Sequence, residues 1–329
     1  MIPNTIDMVQ RGIDWLYGAI SMRLNALSYR NAAMPAILLV EGATDEQFIR
    51  PFLAKHILCT IGDGSLAGDP PNAKAAILGI VRGVDKFKTL LRFNSAWKDV
   101  KVFGMVDRDY DAPSSYDREK YLFVTDTHDL ETLVVSTDRD VFDRISGCTI
   151  PASDLKKSLY MAYQVGCVVK VFRGAGITVR RIMSAHSEVA YSEMFLPDWR
   201  ISLRKALSCA TGETAVNSVK FKKQAERLAK DKRLRRYLDA DMCWKDSLDS
   251  FDEGNVKDLW DNVNGHDLMT LLRYLNAGVA NWFQPKSFFL KSGHPDRAFE
   301  MVLIQTYDKE RFKSTKMYGR MAEAGVLAG

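Results

Sequence analysis

Short apolar runs alternate with segments of helical periodicity through the first half of the chain. Uninterrupted apolar runs of this length are typical of strands that are buried on both faces. Four such runs predict strands at 36–42, 57–63, 101–109 and 121–126. Apolar residues at helical spacing predict helices at 45–56, 73–93 and 129–137. Because strands and helices alternate, the pattern predicts βαβ crossovers and therefore an α/β fold with a mostly parallel sheet.

The first of these helices carries its own start signal. Thr44 and Gln47 have the spacing of a capping box, and Pro51 must lie in the first turns of the helix or kink it. We therefore expect this helix to begin close to Thr44.

The regions on either side of the α/β segment have a different pattern. Residues 1–34 place apolar side chains at helical spacing and predict one amphipathic helix. From 147 to 329 the sequence favours helices rich in Lys, Arg and aromatic residues. The small, polar stretch around Pro151 is typical of a boundary. The predicted organisation is an N-terminal helix, an α/β domain at 35–146 and a mainly α-helical domain at 147–329.

Composition narrows the class of protein. The 329 residues are 47% hydrophobic and 26% charged, an ordinary globular balance, and the net charge of +5 is small for this length. No apolar run approaches the roughly 18 residues that cross a bilayer, and the first residues are too polar for a signal peptide. We therefore expect a cytoplasmic location and no membrane partner. Five scattered cysteines without CxxC spacing indicate neither a disulfide framework nor a zinc site.

Acidic residues follow three of the predicted strands. The carboxyl ends of parallel strands meet at one edge of a sheet, where functional groups gather. Such a cluster would repel itself unless a cation neutralised it, and Mg²⁺ prefers carboxylate oxygen. If the strand continues through the DxD at 107–109, its two aspartates point the same way. The predicted carboxylates are Glu41, Asp45, Asp107, Asp109, Asp129 and Glu131.

A single acidic residue after a strand has a simpler explanation. It is commonly a helix cap or a partner for the dipole of the following helix, as Asp45 beside Thr44 could be. The metal prediction therefore rests on the joint pattern. A bound cation would polarise a scissile phosphate and lower the pKa of an attacking water, which is the chemistry of phosphodiester cleavage.

The segments around these carboxylates resemble the Toprim family. Glu41-Gly42-Ala43-Thr44-Asp45 follows the first strand and Asp107-Arg108-Asp109 follows the third, as a glutamate and a DxD do in Toprim domains. The ExxxD form and the Thr125–Glu131 stretch are most similar to the OLD-like branch, including small effectors of the PARIS anti-phage system. A weaker resemblance extends to Asn264–Leu275.

The resemblance implies a Mg²⁺- or Mn²⁺-dependent endonuclease in anti-phage defence, directed at tRNA, other RNA or DNA. It implies that Glu41, Asp107 and Asp109 are catalytic and that all six carboxylates bind or support metal. It also implies an ATPase partner protein that controls the nuclease and a homodimer when active. The chain has no P-loop of its own. OLD nucleases use a lysine near the metals, for which Lys86, Lys88 and Lys74 are candidates here.

Two further features bear on this hypothesis. His128 lies within the acidic stretch and could hydrogen-bond a ligand carboxylate or assist proton transfer. Residues 220–236 hold nine basic and two acidic residues on a predicted helix, which suits a phosphate backbone or simply a solvated surface. The candidate nucleic-acid contacts are Lys220, Lys222, Lys223, Arg227, Lys230 and Arg233.

Two other functions fit parts of the same pattern. A non-catalytic binding or sensor subunit could keep the Toprim scaffold and use the basic helix for docking. A primase or topoisomerase is disfavoured because the cysteine spacing of a primase zinc module is missing and topoisomerases need much larger accessory domains.

Overall fold

The computed structural model describes residues 36–61, 100–110, 121–145, 148–174, 230, 232, 248–275 and 295–328. The chain divides into two compact units, with Met1–Val141 and Glu300–Gly329 in unit 1 and Phe142–Phe299 in unit 2. These units differ from the predicted ranges 35–146 and 147–329, since the last segment of the chain belongs with the sheet. The helices predicted at 1–34 and 73–93 lie outside the described residues.

Unit 1 contains a parallel sheet of four strands in the order β2-β1-β3-β4. The strands are β1 (Ala36–Val40), β2 (Ile57–Ile61), β3 (Val102–Val106) and β4 (Leu122–Val124). Every residue of β1 and β3 is buried, which explains why both are continuous apolar runs without alternation. The predicted α/β class, the four strands and their parallel arrangement are confirmed.

Two described helices follow strands of this sheet. Helix α1 (Ala43–Ile49) follows β1 and passes into a 3₁₀ turn at Arg50–Phe52, so the α-helix ends before Pro51 instead of continuing to residue 56 with a kink. Helix α2 (Leu130–Thr137) follows β4 and leads to a 3₁₀ segment at Arg139–Arg144.

The predicted cap of α1 was wrong. The helix begins earlier, with Gly42 as N-cap, and the side chain of Asp45 accepts a hydrogen bond from the Gly42 amide at 2.8 Å. Thr44 therefore lies inside the first turn. A carboxylate at this position satisfies an amide and complements the helix dipole, which a Gln side chain does only in part.

The end of the chain packs on α1. It contains α6 (Pro295–Thr306), α7 (Lys309–Phe312) and α8 (Lys316–Glu323). Rings of Phe48, Phe52, Phe312 and Tyr318 form one aromatic cluster, with centroid separations of 4.8 Å for Phe48–Phe312 and 5.4 Å for Phe312–Tyr318. This aromatic burial explains why Glu300–Gly329 belongs to unit 1.

Unit 2 is helical in its described parts. It contains α3 (Ala152–Gly174), a 3₁₀ turn at Glu253–Asn255, α4 (Leu259–Asn262) and α5 (Gly265–Leu275). Helix α3 approaches α4 so closely at Gly166 that a Cβ there would lie 1.7 Å from the carbonyl oxygen of Asn262. Only glycine permits this approach. In the described part of the chain, no helix combines the length and the apolar character needed to cross a membrane.

Candidate metal centre at the carboxyl edge of the sheet

The strand order fixes where a site can form. From β1 the sheet grows to β2 on one side and to β3 on the other. This reversal leaves a crevice at the carboxyl ends of β1 and β3, the place where open α/β sheets bind ligands. Glu41 directly follows β1 and Asp107 directly follows β3, so both carboxylates begin at this crevice.

Asp107 is the electrostatic centre of the cluster. Burial raises the pKa of its carboxyl group well above the ordinary value, and the negative charges of neighbouring carboxylates raise it further. In decreasing order of effect, these neighbours are Asp45, Asp129, Glu131 and Glu41. The structure thus gathers four of the six predicted carboxylates around a fifth, Asp107, from segments that follow three different strands.

Asp107 also has a fixed orientation. Its Oδ1 accepts a hydrogen bond from the Leu130 amide at 3.1 Å, which is one of the amides left open at the start of α2. This contact favours the charged form, because the helix amino terminus is positive. Repulsion and burial nevertheless dominate, since the pKa of Asp107 is raised.

Asp129 has a clear structural role. It is the N-cap of α2: Oδ1 accepts from the Thr132 amide at 2.9 Å, and Oδ2 lies 2.9 Å from Nδ1 of His128. The buried His128 ring also meets Tyr110 edge-on at a centroid distance of 4.4 Å. Of the two roles expected for His128, the structure shows a contact with a carboxylate, that of Asp129, while a ligand role for this carboxylate and a part in proton transfer stay predictions.

The expectation that an extended strand continues through the DxD was wrong. Strand β3 ends at Val106, and Asp109 has a left-handed backbone with φ of 56°. Its amide donates to the carbonyl of His128 at 2.7 Å, which ties this turn to the β4–α2 loop. Aspartate tolerates the left-handed region better than most residues, and such strained positions concentrate at functional sites.

Arg108, between the two aspartates, braces the turn from inside. The residue is buried, its amide donates to Oγ1 of Thr125 at 3.0 Å, and its Nη1 donates to the carbonyl of Asp126 at 2.7 Å. Thr125 in turn donates to the carbonyl of Thr127 at 2.9 Å. Arg108 therefore holds the DxD turn and the β4–α2 loop together.

Sequence reasoning missed one acidic residue of this region. Glu300 on α6 is buried, and one of its carboxylate oxygens lies within 4.8 Å of a carboxylate oxygen of Glu131, which is also buried. Two buried carboxylates at this separation suit a shared cation and oppose each other without one. The only sequence signal was an acidic residue in an otherwise apolar part of a helix.

The donor set fits a hard divalent cation. All of these groups offer oxygen, as Mg²⁺ and Mn²⁺ prefer, and a cation would relieve the repulsion that adds to burial in raising the pKa of Asp107. The candidate ligands are the buried pair Glu131 and Glu300 and the carboxylates that follow β1 and β3, Glu41, Asp45 and Asp107, with Asp129 as a support from the segment after β4. The oxygen-rich donor set of this edge therefore favours a hard cation over one that needs thiolate ligands.

The remaining predicted residues contribute little to this description. Lys230 lies on a helix and is exposed. Five other predicted nucleic-acid contacts and the accessory lysine lie outside the described residues: Lys220, Lys222, Lys223, Arg227, Arg233 and Lys86.

Burial raises the pKa of the Cys148 and Cys167 thiols to about 11, so both are protonated and unsuited as nucleophiles.

Comparisons with protein-family models, with curated proteins and with solved structures found no match to this chain. The function proposed for the site therefore rests on its own residues and on the resemblance of its motifs.

Proposed function

We propose that this protein is a Mg²⁺- or Mn²⁺-dependent nuclease of the Toprim type that cleaves phosphodiester bonds in nucleic acid. The observation that carries the proposal is the gathering of four carboxylates around Asp107 at the carboxyl edge of the sheet, where their charges add to burial in raising its pKa. Helix capping accounts for Asp45 and Asp129 singly, whereas cation binding also accounts for the gathering of so much like charge at one edge.

The protein groups divide into ligands and supports. Glu41, Asp45, Asp107, Glu131 and Glu300 supply oxygen to the cation, while Arg108 and the His128–Asp129 pair fix the loops on which ligands lie. The cation, when bound, polarises the scissile phosphate and lowers the pKa of the attacking water. The buried supports leave the site little freedom to rearrange, which is what a preorganised centre requires.

The narrower parts of the proposal come from the resemblance of motifs. The ExxxD at 41–45 and the Thr125–Glu131 stretch support an OLD-like nuclease acting in anti-phage defence on RNA or DNA. A homodimer and a controlling ATPase partner belong to the same proposal. The basic segment 220–236 would supply contacts to the phosphate backbone, and its exposed Lys230 is consistent with that role.

The test is cleavage with a matched acidic control. The purified chain is incubated with total tRNA, single-stranded DNA and plasmid, each with and without Mn²⁺, beside Glu41→Gln and Glu310→Gln. Glu310 is an exposed partner of Lys313, so its loss removes a carboxylate without touching the site. Metal-dependent cleavage should disappear in Glu41→Gln and persist in Glu310→Gln. Equal cleavage by all three proteins would refute the proposal.

A second function is favoured by a specific observation. The carboxylates of Asp45, Asp107 and Asp129 each accept a backbone amide at the start of α1 or α2, so a scaffold that only binds or senses would also use them. Isothermal titration separates the two functions. A non-catalytic subunit would show the same Mn²⁺ affinity in wild type and in Glu41→Gln.

A further inference from the structure

We propose that Asp126 is a positioning residue through which the C-terminal helix α8 holds the carboxylate site in shape. The inference rests on the proposed function for its effect on metal and catalysis. The anchoring itself rests only on hydrogen bonds within unit 1. Asp126 lies in the loop between β4 and α2, upstream of Asp129 and Glu131.

The side chain of Asp126 is committed to the first turn of α8. Its Oδ2 accepts from the Lys316 amide at 2.7 Å and its Oδ1 accepts from the Met317 amide at 2.9 Å. Thr315, the N-cap, accepts from the Tyr318 amide at 3.1 Å. The amides at the start of α8 therefore have two acceptors. One is the side chain of Thr315 at the N-cap, and the other is the carboxylate of Asp126 in the loop that carries the site.

The backbone of Asp126 is held from the other side. Its carbonyl accepts the 2.7 Å hydrogen bond from Arg108, the buried residue between the two aspartates of the DxD. One residue therefore links α8 through its carboxylate and the DxD turn through its carbonyl. Because Asp126 is held through both its side chain and its carbonyl, the loop cannot shift Asp129 and Glu131 without breaking a charge-assisted hydrogen bond.

A second contact of α8 supports this role. Arg320 donates from Nη2 to the carbonyl of Leu122 at 2.9 Å, on the strand that feeds the loop. Strand β4 has a sheet partner only in β3 among the described strands, so α8 occupies the side where the edge would otherwise be open. The helix is thereby attached both to the strand and to the loop that follows it.

The test compares two losses at the start of the same helix. Asp126→Ala removes the loop's anchor, and Thr315→Ala removes the helix's own cap, a hydroxyl that accepts from the Tyr318 amide and donates to the carbonyl of Phe312. Asp126→Asn keeps one acceptor oxygen and serves as the conservative variant. Mn²⁺ affinity by titration, cleavage rate, unfolding midpoint and hydrogen exchange of residues 125–130 are measured for all three and for wild type.

Partners outside the ligand shell typically alter metal affinity or activity about 10- to 100-fold. We expect a loss of that size in Asp126→Ala, a smaller loss in Asp126→Asn and none in Thr315→Ala at a similar fall in unfolding midpoint. Hydrogen exchange at 125–130 should speed up only in the Asp126 variants. Equal metal affinity in Asp126→Ala and wild type, or equal losses in Asp126→Ala and Thr315→Ala, would overturn the inference.

A wild-type chain that neither binds Mn²⁺ nor cleaves would instead refute the proposed function. In that case the exchange measurement still decides the anchoring. Unchanged exchange at 125–130 in Asp126→Ala would show that α8 does not hold the loop.

Discussion

Two polar clusters of this molecule are built on opposite principles. At the edge of the unit 1 sheet, carboxylates surround Asp107 and raise its pKa. In unit 2, Lys170 donates to Oδ1 of Asn262 at 3.1 Å, and Asp258 accepts from Tyr163 at 3.0 Å and from Asn262 at 2.7 Å. The second cluster pairs donors with acceptors, so it stabilises a helix contact. The first concentrates acceptors of one charge, which costs stability and is typical of a functional site.

Asp107→Asn should have a large effect on activity, comparable with that of Glu41→Gln. The amide keeps an oxygen for the Leu130 amide but removes the central charge, so metal-dependent cleavage should fall about 10²- to 10³-fold. At neutral pH the metal-free variant should be more stable than wild type, because the repulsion around Asp107 is gone. Cleavage assays and thermal unfolding in EDTA measure the two effects. A variant that is both inactive and less stable would place Asp107 with the structural carboxylates instead.

Added metal sharpens the same contrast. A ligand that binds the native state raises the unfolding midpoint, so Mn²⁺ should stabilise wild type and leave Asp107→Asn unchanged.

Gly166→Ala should have the largest effect on stability. The new methyl group would meet the backbone of Asn262, which cannot rotate away as a side chain could. We expect a loss of about 3 kcal/mol in the free energy of unfolding, at the upper end of the usual cost of overpacking. Denaturant unfolding of this variant beside Gly174→Ala gives the comparison, since a Cβ at Gly174 meets no atom within 4 Å. Similar losses in both variants would contradict the close approach.

In the absence of metal, the stability of wild type should depend on pH, because the pKa of Asp107 is raised. A carboxyl group with a raised pKa binds its proton more tightly in the native state than in the unfolded state. Its stabilising effect is complete below the unfolded pKa of about 4 and is lost as the pH rises through the raised native value. Metal-free wild type should therefore lose stability over this interval by up to about 1.4 kcal/mol per pH unit for one proton.

The matched control for this dependence is the neutral variant. In Asp107→Asn the unfolding curves in EDTA should show a smaller slope of stability against pH over the same interval. An identical slope in both proteins would assign the dependence to other groups.

The sequence pattern predicted the strands that carry the site and the edge of the sheet where it lies, but not Glu300 or the turn at Asp109. The apolar runs of β1 and β3 fixed both strands, and parallel pairing then had to bring Glu41 and Asp107 to one edge. Glu300 could not be predicted because it comes from α6, near the far end of the sequence, and reaches Glu131 only through tertiary packing. The sequence predicted an extended strand through Asp109. The left-handed turn found there is held by the hydrogen bond from the Asp109 amide to the carbonyl of His128, and this contact has no sequence signal.

Tyr163→Phe should have the smallest effect of these variants. It measures how much stability a network of paired donors and acceptors loses when one group is removed. The variant loses the hydrogen bonds of the hydroxyl with Asp258 and with Cys167, while Asn262 still donates to the Asp258 carboxylate. Because no buried charge is left alone, the free energy of unfolding should fall by only about 0.5–1.5 kcal/mol, with the same loss at pH 5 and pH 8. Denaturant unfolding at both pH values measures it. The opposite sign expected for Asp107→Asn then follows from charge arrangement alone: removing a group from a paired network costs stability, whereas neutralising one in a like-charged cluster restores it.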